Sequence, residues 1–333
     1  MLKAGFLWIV FALLATSAAA QVEFTKQDKS VLVRVNGKDF TVLRFGADRN
    51  KPYLHPILTA SGKIVTRGYP DDPQPGELLN LPHQVGLWVG FEKLNDIDFN
   101  EIDPSYDLDP HRNKRPRGKV VFKEITAMQG GADRGVLAFT ADWVAPNGRV
   151  VLKQEEQLTI FAAPKDSRMM DIKFVLRPQE QASFEDDADG ILALRLGVPF
   201  MQQNGGRVTN FTGTEGADNV YGKRSPWVEF EGTLDGGERV GVMLMDHPDN
   251  YNFPLRWKVR STGAIYASTF AERDFYDDPP FKQLFKAPPN GSKDMGLTLA
   301  KDEALTFQFR LLVHPLPMDI YPEWVKFAKP AAQ

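Results

Sequence analysis

Val31, Val33 and Val35 recur at every second position with Leu32 and Arg34 between them, Asn36-Gly37 interrupts them, and Phe40 and Val42 resume the two-residue spacing. A two-residue repeat carried across an Asn-Gly pair predicts a β-hairpin. The same pattern recurs along the chain. Residues 138–144 run into Pro146-Asn147-Gly148 and resume over 150–161, and residues 228–232 run into Asp235-Gly236-Gly237 and resume over 240–245. Residues 170–176, 191–198, 265–270 and 305–313 read as further strands. A helical period is confined to the tail, where residues 321–328 follow Pro317. Many strands joined by Gly and Pro turns predict an all-β fold, a large antiparallel β-sandwich. No low-complexity linker divides the chain, and the charged run 186–189 sits between apolar strands and reads as a loop. The expected organisation is one β-sandwich domain over 21–320 and a short helical tail over 321–333.

The first 20 residues change the picture of where this domain works. Lys3, the apolar stretch 6–14 and Ser17-Ala18-Ala19-Ala20 before Gln21 have the form of a secretory signal peptide. The apolar stretch is shorter than the roughly 20 residues that span a bilayer, and no Cys follows it to carry a lipid. The chain has no cysteine at all. Export without disulfides points to a periplasmic or secreted bacterial protein, with no membrane association after signal cleavage. The lack of thiols also excludes thiolate metal sites and cysteine nucleophiles. A formal net charge of −3 argues against a nucleic-acid partner. The basic cluster 111–117 follows an acidic run over 96–109, and reads either as a solvated loop or as a subsite for an anionic substrate.

Candidate chemistry centres on histidines that adjoin prolines: His55-Pro56, Pro82-His83, His247-Pro248 and His314-Pro315. Proline holds its predecessor, here His55, His247 or His314, in an extended backbone, and imidazole titrates near neutral pH. Such positions present a proton donor, a proton acceptor or a metal ligand at strand ends. The stretch 51–90 is the richest, with His55, Arg67, His83 and Trp88 along a long Pro-rich connection. Aromatic faces beside hydrogen-bonding groups suit a sugar ring, and Arg67 suits a carboxylate or phosphate. A second cluster runs Asp246-His247-Pro248-Asp249-Asn250, followed by Trp257 and Arg260. Glu155 and Glu156 lie mid-strand on opposite faces, one being a site carboxylate and the other meeting solvent. No Walker loop, G-x-S-x-G or H-E-x-x-H motif is present.

Several blocks resemble the exported bacterial family known as methane oxygenase PmoA-like: Lys51-Pro52-Tyr53-Leu54-His55-Pro56, Thr66-Arg67-Gly68-Tyr69-Pro70, Pro82-His83-Gln84-Val85-Gly86-Leu87-Trp88, Trp257-Lys258-Val259-Arg260, and the stretch from Phe307 to Pro315. The resemblance implies a β-sandwich exported by polysaccharide-degrading bacteria, and a galactose-mutarotase-like supersandwich is the expected form. The chain departs from that family's His-rich motif: Gln84-Val85 and Lys258 stand where histidines and an arginine are usual.

The first functional expectation is an enzyme acting on a sugar or polysaccharide fragment without cofactor or metal. His55, His83, Glu155, Asp246 and His247 would supply acid–base chemistry, and Arg67, Trp88, Asn250, Trp257 and Arg260 would bind substrate. The second is a non-catalytic carbohydrate-binding protein, favoured by the missing histidines. The third, implied by the family name, is a metal-dependent oxidoreductase using His55, His83, His247 and Asp246.

Overall fold

The computed structural model describes residues 21–46, 50–101, 115–277 and 293–329. The signal-like stretch, residues 102–109 of the acidic run and residues 111–114 of the basic cluster lie outside them. In chain order the strands are β1 (Val22–Lys26), β2 (Ser30–Val35), β3 (Lys38–Arg44), β4 (Tyr53–Ile57), β5 (Leu87–Val89) and β6 (Lys119–Gln129). Then come β7 (Arg134–Val144), β8 (Val150–Phe161), β9 (Arg168–Pro178), β10 (Ala182–Phe184), β11 (Leu192–Arg195) and β12 (Arg207–Asn210). The last six are β13 (Trp227–Leu234), β14 (Glu238–Asp246), β15 (Arg256–Arg260), β16 (Ala264–Ser268), β17 (Leu297–Leu299) and β18 (Leu305–Pro315). Helices are short: α1 (Ala217–Val220), α2 (Arg273–Asp277) and α3 (Tyr321–Phe327). None of them is long and apolar enough to cross a membrane.

Two eight-stranded antiparallel sheets carry the fold. The front sheet runs β1-β2-β3-β4-β5-β11-β16-β15, and the back sheet runs β12-β13-β14-β18-β9-β8-β7-β6. This is the expected large antiparallel sandwich. The three hairpins read from the sequence are present, and Asn36 and Gly37 both adopt positive φ, as their turn demands. One contiguous core fills the space between the sheets. It takes Leu54, Leu87, Leu194, Ile265 and Val259 from the front, and Phe139, Leu158, Ile172, Leu244 and Leu311 from the back.

Alternation explains the back sheet well. In β8, Leu158 and Ile160 face the core while Lys153, Glu155 and Gln157 are exposed. The centre of the front sheet breaks this rule. Every residue of β5, β11 and β16 is buried, so both faces are covered there. A second cluster, Tyr53, Val85, Trp88, Ala193, Ala264 and Tyr266, packs on the face turned away from the core. On the back sheet, α3 covers the corresponding outer face with Phe327 against Met169, Trp227, Met243, Met245 and Leu312.

Candidate functional site on the outer face of the front sheet

Strand register places the site residues in rows. Tyr53 pairs with Trp88, Trp88 with Ala193, Ala193 with Tyr266, and Tyr266 with Lys258. These five therefore share one face, opposite Leu54, Leu87, Leu194 and Ile265. In the adjacent row Arg195 pairs with Ala264, and Ala264 with Arg260. His55 lies two residues beyond Tyr53 on the same face. Gly86 sits against it with φ +52°, and a side chain there would collide with the Leu54 carbonyl. Only glycine fits this close crossing.

Loops close over these rows. Lys51 Nζ donates to the Asn100 carbonyl at 2.7 Å and lies 5.2 Å from the centre of the Trp88 ring. Trp88 Nε1 donates to Asn100 Oδ1 at 3.0 Å. Asp98 Oδ1 accepts from the Asn100 and Glu101 amides, fixing that corner. His83 Nδ1 is then 2.8 Å from Glu101 Oε2. Lys258 Nζ donates to Asp189 Oδ2 at 2.6 Å, and Gln84 Nε2 donates to the Tyr266 hydroxyl at 2.7 Å.

Burial tunes these groups. It lowers Lys51 to about 7 against the opposing pull of Asp98 and Glu101. Burial also lowers His83, partly offset by its hydrogen bond to Glu101. His55, whose Nδ1 lies 3.0 Å from Thr66 Oγ1, is pushed down to about 4 by burial. Burial alone would raise Asp189, but the Lys258 ammonium outweighs it and holds the carboxylate low. At neutral pH the face thus holds neutral imidazoles, an amine near its titration point and a buried ion pair.

Glu92, Asp187 and Asp189 each offer one oxygen within 4.8 Å of the others and could hold a metal ion. Two lysines already stand beside them, Lys93 at 3.8 Å from Asp187 and Lys258 on Asp189. The imidazole–carboxylate set named from sequence is not assembled. His247 packs edge-on against Phe327 of α3, on the back of the sandwich. Asp246 accepts from the Leu255 amide and from Asn250 Nδ2, and burial raises it to about 7.

Of the other expected residues, Trp88, Arg260 and Arg67 join His55 and His83 on the front sheet's outer side. Arg67 is wholly buried, and its guanidinium donates to the carbonyls of Leu78, Asn80, Leu81 and Gln84. It holds the loop rather than a substrate. Arg260 lies 4.9 Å from the Tyr221 ring centre. Glu155 lines a hollow of about 420 Å³ on the back sheet with Thr126, Thr140, Gln157 and Lys173. Its neighbour Glu156 faces the core instead. Asn250 ties Asp246 to the Gln308 backbone, and Trp257 belongs to the core, with Nε1 on the Ser225 carbonyl. Lys51, Gln84, Glu101, Asp189, Arg195 and Tyr266 were not singled out from sequence. The i, i+2 spacing of Lys51, Tyr53 and His55, and of Lys258 and Arg260, carries part of that signal.

An all-β sandwich with a buried polar face on one sheet is the class this geometry defines. Residues 30–320 match the model of DUF6807, a family of unknown function, and the chain belongs to that family. This corrects the PmoA-like expectation, because the family that matches is DUF6807 and nothing found carries the PmoA-like name. No curated protein matches the chain. Among solved structures it is similar to a galactose 1-epimerase from Lactobacillus acidophilus NCFM, at 9% identity and TM-score 0.34, covering 89% of this chain and 99% of that one. It is similar to HI1317 at 12% identity and TM-score 0.27, covering 87% and 99%. It is also similar to the polysaccharide lyase BACCELL_00875 at 12% identity and TM-score 0.28, covering 93% of this chain and 35% of that one. At these identities and scores the likenesses assign neither activity nor ligand.

Proposed function

We propose that this protein acts on a sugar or polysaccharide fragment at the outer face of the front sheet, by acid–base chemistry in an exported bacterial protein. The observation that carries the reading is the His83–Glu101 pair, set among Lys51, Trp88, Tyr266 and the Lys258–Asp189 ion pair. Nδ1–H of a neutral His83 imidazole donates to Glu101 Oε2, which leaves Nε2 as the unprotonated nitrogen. That is the arrangement of a general base. Lys51, titrating near 7, is the complementary acid in its protonated fraction. Trp88 and Tyr53, buried on this face, are flat rings of the kind that meets the C–H face of a sugar ring.

The test is turnover of a panel of bacterial and plant oligosaccharides, with product analysis. His83→Gln and Glu101→Gln are each expected to lower kcat by about 10²-fold or more, with melting temperatures within a few degrees of the parent. Normal turnover by His83→Gln removes His83 as the base. Binding by the parent without any product supports the non-catalytic carbohydrate-binding reading instead.

A further inference from the structure

Arg195 has no role in the chemistry above, and its surroundings do not account for it. It is 1% exposed, on the outer face of the front sheet, diagonal to Tyr266 across the β11–β16 pairing. Its backbone is fixed on both sides, with its amide donating to the Gly86 carbonyl and its own carbonyl accepting from the Arg67 amide. Among the described residues its guanidinium makes one hydrogen bond, Nη1 to Thr262 Oγ1 at 2.9 Å, and Nε is buried with no acceptor. Glu77, the carboxylate whose field reaches it, is committed to the amides of Gly68, Tyr69 and Gln74. A guanidinium offers five donors, and burying one without an anion is strongly unfavourable. Burial, reinforced by the nearby Arg67 charge, lowers Arg195 to about 10, which expresses the same imbalance. One further polar atom nearby is unsatisfied: Gln84 Oε1 is buried without a partner among the described residues, while Gln84 Nε2 donates to the Tyr266 hydroxyl beside the arginine.

We infer that Arg195 is an anion-binding residue of the front-sheet site, and that the sugar recognised there carries a carboxylate. The inference rests on the sugar-binding reading and narrows it to acidic sugars. A planar carboxylate accepts two parallel N–H bonds from the guanidinium edge that includes Nε, which a neutral hydroxyl cannot do. The residues that flank Arg195 and Tyr266 in the two rows, Ala193 and Ala264, are small. A sulfate ester presents related oxyanion chemistry and is separated by the test.

Calorimetry on the mature chain would compare oligogalacturonate, an oligomannuronate, a sulfated galactan oligosaccharide and a neutral galactan oligosaccharide. Uronate oligomers are expected to bind roughly 10- to 100-fold more tightly than the neutral one, and Arg195→Met is expected to erase that difference. Arg195→Lys, which keeps the charge without the fork, is expected to retain only part of it. The unliganded Arg195→Met protein is expected to melt at or above the parent temperature, because it removes a buried charge that no anion among the described residues pairs with. Equal affinity of the parent for acidic and neutral sugars overturns the inference while leaving the sugar site standing. Preference for the sulfated oligomer overturns the carboxylate assignment. Binding of none of the four removes both readings. A drop in melting temperature, or failure of Arg195→Met to fold, shows that the guanidinium is structural and overturns the inference.

Discussion

Single side chains decide which polar groups on this scaffold are poised for chemistry and which are structural. His83 and Lys51 were given unequal weight by the sequence. A histidine beside proline stands out, whereas an amine held near neutrality by burial looks like any surface lysine until its neighbours are known. Glu155 and Glu156 make the same point. Alternation correctly places them on opposite faces, but the buried one lies in the core. Trp143 Nε1 donates to Gln154 Oε1, and Gln154 Nε2 to Glu156 Oε2. Burial raises Glu156 to about 8, with the Gln154 bond opposing. The folded state therefore binds a proton that the unfolded chain releases above its ordinary value of 4.5. Stability from this group is full below that value and falls as pH rises towards 8. Glu156→Gln is expected to raise the melting temperature by about 2 °C or more at pH 8.5 and to change it little at pH 5. Thermal unfolding at the two pH values checks this, and an equal effect at both contradicts it.

Elements carry the next level of the argument. The hairpins and long back-sheet strands were legible because their turns are Asn-Gly or Gly-rich and their alternation is clean. Strand β6 was not, because most of its residues are exposed at the sheet edge and leave no apolar period. The central front strands are short and buried on both faces, so pattern alone could not show that one face is polar. The loop over that face is fixed by Arg67, whose role is invisible in sequence because its partners are main-chain carbonyls. Arg67→Met is expected to lower the melting temperature by about 5 °C or more, and to open the 78–84 segment to limited proteolysis. Unchanged protease resistance would show that the loop is held by other means. On the back sheet, Gly241 makes room for a His314–Glu229 contact of 2.8 Å. A side chain at 241 would strike both the imidazole and the carboxylate. Gly241→Ala is expected to unfold at lower temperature than the parent, and an unchanged transition would mean the pair can move aside.

At the scale of the whole molecule, the sandwich separates two covered outer faces of different composition. The back face is sealed by apolar packing of α3, while the front face is sealed by loops that bring charges with them. His55, His83 and Trp88, named together from the sequence, lie on the front sheet's outer side, but the sequence also grouped Asp246, His247 and Trp257 with them. Proximity along the chain suggested that grouping, whereas the two sheets send those residues to the core and the back. Deleting residues 321–333 is expected to expose Met169, Trp227, Met243 and Leu312 and to increase binding of a hydrophobic dye. No increase would show that α3 is dispensable to that face.

The central claim is that the outer face of the front sheet is where ligand acts. Its most direct test is fluorine NMR of protein labelled with fluorotryptophan, titrated with the tightest-binding oligosaccharide. The account predicts that the Trp88 resonance shifts while those of core Trp143 and back-face Trp324 stay in place. Movement of Trp324 with Trp88 unmoved would contradict it.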